Sequence, residues 1–206
     1  MALTRGKQIE LLCKEIANDY EGWEYSAKTF KDKRLKHTDK VIIFRWTGSS
    51  ISVSSQPIVG ILNKKIELVW KILNKGKTDR TQFLRIMRPG SDVHPHRNRI
   101  TDLEKDNAEE YIREVLDIGI RMLDENWDFS SEEALLRNLP GLLEDDLGTR
   151  YCIAQMLLGD FDYIERFYND EIETIRPKRK KDLETIIEHI PEFKDKYEKQ
   201  GILFKV

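Results

Sequence analysis

One change of rhythm constrains this chain more than any other feature. Before residue 100 several stretches place apolar residues at every second position, and after residue 102 apolar residues recur only at helical spacing. "KVIIFRW", residues 40–46, is β-branched and aromatic throughout and reads as a strand. "GWEYSAKTFKDKR" alternates Trp23, Tyr25, Ala27 and Thr29, which suits one strand with a buried face. "KHTD" and "TGSS" read as turns, and "ISVSSQPIVGIL" continues the sheet. Pro57 has no amide donor, so that third strand is expected at an edge or bulged near the proline. "TQFLRIMRP", 81–89, reads as a further strand. The short turns imply antiparallel pairing.

Two helices accompany these strands. The first is expected over about residues 5–20, with Ile9, Leu12, Cys13, Ile16 and Tyr20 on one face and Thr4 as N-cap. In "NKKIELVWKILNKG", Ile66, Val69, Trp70 and Leu73 follow helical spacing, with Asn63 as cap and Gly76 as stop. Beyond 102 every segment is helical. "DNAEEYIREVLDIGIRMLDENW" is one helix, and "SSEEALLRNL" is capped by Ser130 or Ser131. "YCIAQMLLGDFDYIERFYNDEI" reads as a helical hairpin turning at Gly159–Asp160, stopped by Pro177. "RKKDLETIIEHI" is a last helix closed by Pro191. The expected class is α+β: an N-terminal antiparallel β-sheet with flanking helices over 1–125, then a helical region over 126–206, on one continuous core.

Composition bounds the rest. Of 206 residues, 39% are hydrophobic and 35% charged, a low apolar fraction for a globular chain, but 9% aromatics argue against disorder. Cys13 and Cys152 each sit in an apolar helical pattern, which reads as reduced thiol in a cytoplasmic protein. The sequence has no signal-peptide pattern and no long apolar run, so no membrane association is expected. Charge is distributed in blocks. Residues 1–100 hold 20 Lys and Arg against 10 Asp and Glu, a net +10; residues 101–175 hold 6 against 21, a net -15. Such asymmetry bears on partners rather than on fold.

"DVHPHRNRI", 92–100, holds His94 and His96 with Asp92 in step. A metal centre needs three or four converging ligands, and arginines flank these two histidines, so no metal is expected there. The loop is read as cationic, with Arg88, Arg97 and Arg99 as candidate phosphate contacts. The lysine-rich stretches "KTFKDKRLKH" and "KILNKGKTDR" beside Trp23, Tyr25, Phe30, Phe44 and Trp46 give a nucleic-acid-associated accessory role as the alternative reading, although the aromatics also suit a core. The acidic block supplies Glu144, Asp145, Asp146, Asp160, Asp162 and Glu165, with Tyr163 and Tyr168 among them. These eight residues are the candidate surface for a basic protein partner, weighed against a plain solvated face. "RPKRKK", 176–181, is a basic cluster that suits either a nuclear or nucleic-acid signal or neutralisation of the acids before it. No glycine-rich phosphate loop, nucleophile elbow, HExxH or CxxC is present, and no cofactor is expected.

The segments "SVSSQPIVGILNKKIELVWKIL", "FSSEEALLRNLPGLL" and "LLGDFDYIERF" resemble small bacterial cytosolic proteins, among them immunity proteins of polymorphic and contact-dependent toxin systems. The resemblance implies a non-enzymatic inhibitor that binds a cognate toxin by surface complementarity. It carries over no single functional residue.

Overall fold

The computed structural model describes residues 4–44, 46–48, 53–55, 57–76, 84–86, 99–100, 108–139, 148–172 and 180–206. In chain order the elements are helix α1 (Arg5–Ala17), strands β1 (Trp23–Ser26), β2 (Thr29–Asp32), β3 (Thr38–Ile43), β4 (Trp46–Gly48), β5 (Val53–Ser55) and β6 (Ile58–Asn63), helix α2 (Lys64–Leu73), strands β7 (Leu84–Ile86) and β8 (Arg99–Ile100), and helices α3 (Ala108–Asn126), α4 (Glu132–Arg137), α5 (Gly148–Leu157), α6 (Asp162–Tyr168) and α7 (Lys180–Gln200). The fold is α+β, with an antiparallel sheet in the first half and helices in the second. None of the described helices is long and apolar enough to cross a membrane.

The chain divides into two compact units, residues 1–61 with 84–125, and residues 62–83 with 126–206. Helix α2, which stands between strands in the sequence, therefore belongs to the helical unit.

In the first unit one sheet runs β1-β2-β3-β6-β7 and a second runs β4-β5-β8. The stretch expected as one strand from Trp23 through Thr29 is a hairpin. Ala27 and Lys28 both have positive φ, 48° and 60°, and set Tyr25 opposite Phe30. Two successive left-handed residues match the twist of paired strands, which is why the chain reverses here despite having no glycine. Burial switches from odd positions (Trp23, Tyr25) to even ones (Phe30, Asp32) across the turn. Pro57 lies in the break between β5 and β6. The strand it was expected to place at an edge or to bulge is interrupted there: β5 belongs to one sheet and β6, in the other, sits between β3 and β7. Ring contacts run from Tyr25 to Phe30 (4.6 Å), Phe44 (6.2 Å from Phe30) and Tyr111 (6.1 Å from Phe44), and the Tyr111 hydroxyl meets Ser55 Oγ at 2.7 Å. Helix α3 approaches β3 so closely that a Cβ at Gly119 would overlap the Ile42 side chain. Helix α1 stops at Ala17, short of Tyr20, whose hydroxyl donates to Asp117 on α3 at 2.9 Å. Thr4 occupies the N-cap position of α1 without a side-chain bond.

In the second unit α5 is central and packs against α2, α4, α6 and α7. Its buried residues, Thr149, Arg150, Cys152, Ile153, Ala154, Met156 and Leu157, surround the helix rather than line one face, as expected of a helix enclosed by others. The Arg150 guanidinium lies 4.9 Å from the centre of the Trp70 ring. Asn63 caps α2, accepting from the amides of Lys65 (3.1 Å) and Ile66 (3.0 Å). The helix ends as the amide of Lys75 donates to Ile72 O and that of Gly76 to Lys71 O, with Lys75 rather than the glycine as the first left-handed residue. Ser131 caps α4 through the Ala134 amide. The hairpin of α5 and α6 turns at Gly159, whose φ of +88° suits glycine and whose face a Tyr197 ring covers. Helix α7 runs through Pro191 instead of ending there. The proline removes one helical hydrogen bond, a loss of up to ~3 kcal/mol in an isolated helix. Burial of Leu183, Ile186, Ile190 and Phe193 on both sides of it holds the helix together.

Candidate functional site

The acidic residues picked out by sequence fall into two sets. Glu144, Asp145 and Asp146 lie outside the described residues, as do Asp92, His94, His96, Arg88, Arg97 and Pro177. Arg99 is described only by the pairing of β8 with β5. The remaining candidates stand on or next to α6.

Apolar positions set the orientation of α6. Ile164 and Phe167 are buried, and Phe161 before the helix is buried against Tyr197, ring centres 5.8 Å apart. That fixes the opposite face outward. Asp162 and Glu165, three positions apart, share this face, and both are exposed. Neither forms an ion pair with a described cation. Asp160 is also exposed, but its Oδ1 accepts from the Tyr163 amide at 3.1 Å, so it caps the helix as well as adding charge. Beyond the helix the acids are neutralised locally. Glu171 faces Arg166 at 3.8 Å, and Asp170 accepts from Lys180 Nζ at 3.2 Å. Lys180 opens α7, where a cation is unfavourable with the helix dipole. Its bond to Asp170 and its place 5.6 Å over the Tyr168 ring account for it.

The two candidate tyrosines are half-buried. Tyr163 lies 5.4 Å from Tyr151 and 6.1 Å from Phe167, nearly parallel to the latter. Burial raises its hydroxyl well above the ordinary tyrosine value, and that oxygen has no hydrogen-bond partner among the described residues. The Tyr168 hydroxyl reaches Glu184 at 3.5 Å. Both rings thus underpin the acidic face from within, and its outer layer is carboxylate.

The basic first half presents a different picture. Trp23, Tyr25, Phe30 and Phe44 are all buried, at 8%, 6%, 0% and 0% exposure, so these rings form core and not a stacking platform for bases. Lys33 pairs with Glu24, Lys40 with Asp124 (2.8 Å), and Arg34 with the nearly buried Asp32 (2.7 Å). Burial raises the Asp32 carboxyl, but the bonds from the Arg34 side chain and amide outweigh it and hold the group below its usual range. Among the described residues no three His, Cys, Asp or Glu side chains converge as a metal site. Cys13 and Cys152 are buried and form no disulfide, and burial pushes the Cys13 thiol up to about 12. Comparison of the chain with family models, with curated proteins and with solved structures finds no match.

Proposed function

We propose that the chain is a non-enzymatic protein-binding protein that engages a basic partner through the acidic face of α6, in the manner of an immunity protein neutralising a toxin. The observation that carries this reading is the pair Asp162 and Glu165: exposed, on one face, and matched by no described cation, whereas most neighbouring charges are matched. Crowded carboxylates raise the local negative potential, a self-repulsion that a cationic partner relieves. Helix α6 is held on its inner side by Ile164, Phe167 and the tyrosine rings, so the backbone that presents the carboxylates is ordered before binding. The nucleic-acid alternative has less support, because the sheet aromatics are core and Lys33, Arg34 and Lys40 each face a carboxylate.

The test is affinity capture from the native host at low ionic strength, followed by binding of the captured protein to parent and to Asp162→Lys/Glu165→Lys chains. A basic protein that binds the parent and not the variant supports the reading. Equal binding to both chains contradicts it.

A further inference from the structure

Helix α2 carries a second surface, unrelated to the acidic face of α6. Its inner side buries Ile66, Val69, Trp70 and Leu73, yet Leu68 and Ile72, one turn apart on the outer side, are 45% and 42% exposed. Only two other large hydrophobics among the described residues are comparably exposed, Leu11 and Ile202. Ile202 belongs to the same unit. Lys65 Nζ donates to Leu203 O at 2.7 Å, which brings the segment bearing Ile202 to the first turn of α2. Exposed lysines border the aliphatic pair: Lys64 one turn before Leu68, Lys71 beside Ile72, and Lys75 beyond it. An aliphatic strip whose rim is cationic, with three exposed lysines against the half-buried Glu67, fits a partner surface that is acidic.

We propose that this strip docks on the acidic α6 face of a second copy of the chain. The complementarity is present within one sequence: Lys64, Lys71 and Lys75 around the strip, and Asp162 and Glu165 on the opposing face. A symmetric contact of α2 with α2 would set these lysines against their own copies, and like charges oppose it. The contact then joins donor strip to acceptor face, and made once in a heterologous, head-to-tail pair it leaves the dimer with one donor and one acceptor open. Association continues past the dimer. Two helical turns make a small interface, so the dissociation constant is on the order of tens of micromolar.

The inference uses the same α6 face as the proposed partner site but needs no foreign partner, so purified full-length chain tests it. Sedimentation equilibrium of the parent from micromolar to millimolar concentration should give a weight-average mass that climbs beyond a dimer and falls back with added salt. Leu68→Ser/Ile72→Ser removes the donor, and Asp162→Lys/Glu165→Lys removes the acceptor. Each variant alone should associate at least about tenfold more weakly than the parent. Mixed in equal amounts they should form a one-to-one dimer that grows no further, because the first variant keeps the acceptor and the second keeps the donor. Circular dichroism of each variant confirms retained helix. A parent that stays monomeric, a variant that associates like the parent, or a mixture that stays monomeric overturns the inference. Because the donor variant keeps the acidic face, it should still bind a captured basic protein, which separates failure of this contact from failure of the partner reading.

Discussion

Asn63 has no exposed surface and uses both ends of its amide. Its oxygen accepts from two α2 amides, and its Nδ2 donates to Glu132 Oε1 at 3.1 Å. Asn63→Ala should cost about 2 kcal/mol, the sum of a lost cap and a lost bond to Glu132, which keeps Lys65 at 3.3 Å, read as a lower urea midpoint with unchanged slope. The capping role was legible in "NKKIEL", because an amide side chain before an amphipathic run has few other uses. Glu132 as its partner, 69 positions away, was not legible: nothing local announces a long-range bond. Asp32 shows the same limit. "DKR" reads as surface charge, yet Asp32 is 3% exposed and is held by Arg34. Its folded carboxyl lies below the ordinary value of 3.8, so the stability it contributes is present above that pH and lost as pH falls through the folded value. Asp32→Asn should therefore destabilise the chain by about 1–2 kcal/mol at neutral pH, discounted for the half-exposed Arg34. The gap between variant and parent should narrow in acid melts below pH 3.8.

At the scale of elements, the long helices could be read from periodicity, because each buries one face, and β3 from its β-branched run, in which Val41 and Ile42 are both buried. The β1–β2 hairpin was missed for a specific reason. Its turn is Ala27-Lys28, which carries no glycine or asparagine signal, and alternation seemed to run on through Thr29. The usable sign was Phe30, a large apolar residue out of phase with Trp23 and Tyr25. Ala and Lys at positive φ are strained relative to residues that favour that region. Ala27→Asn/Lys28→Gly should accordingly stabilise the chain by about 1 kcal/mol, measured by urea unfolding. A drop in stability would mean that the Ala27 or Lys28 side chain makes a contact worth more than the strain. Pro191 misled in the other direction. A proline is a local rule, and the apolar face of α7, from Leu183 to Phe193, is a tertiary one that overrides it. The exposed pair on α2 was visible in "IELVWKI", where Leu68 and Ile72 fall opposite the inward set. Their exposure depends on long-range packing, which local spacing does not encode.

For the molecule as a whole, the division into two units explains why charge blocks were a coarse guide. The +10 of the first hundred residues is shared between units, since α2 and its lysines belong with the helices, and much of the described remainder is paired with carboxylates. The acidic block is likewise neutralised in part, by Arg113, Arg166 and Lys180 among others. Among the described acids of this block, Glu110, Glu114 and Glu125 on α3 are also exposed and pair with no described cation, and on α6 the unmatched acids Asp162 and Glu165 share one face. On the proposed reading these two carboxylates steer a basic protein partner. Charges that act at the rim of an interface change association more than dissociation, and their effect fades with salt. The most direct measurement is the association rate of the captured basic protein with the parent and with Asp162→Lys/Glu165→Lys, at low and at high ionic strength. The variant should associate about tenfold more slowly at low salt, with the difference shrinking at high salt and circular dichroism unchanged. A folded variant that associates as fast as the parent at low salt would contradict the proposed reading.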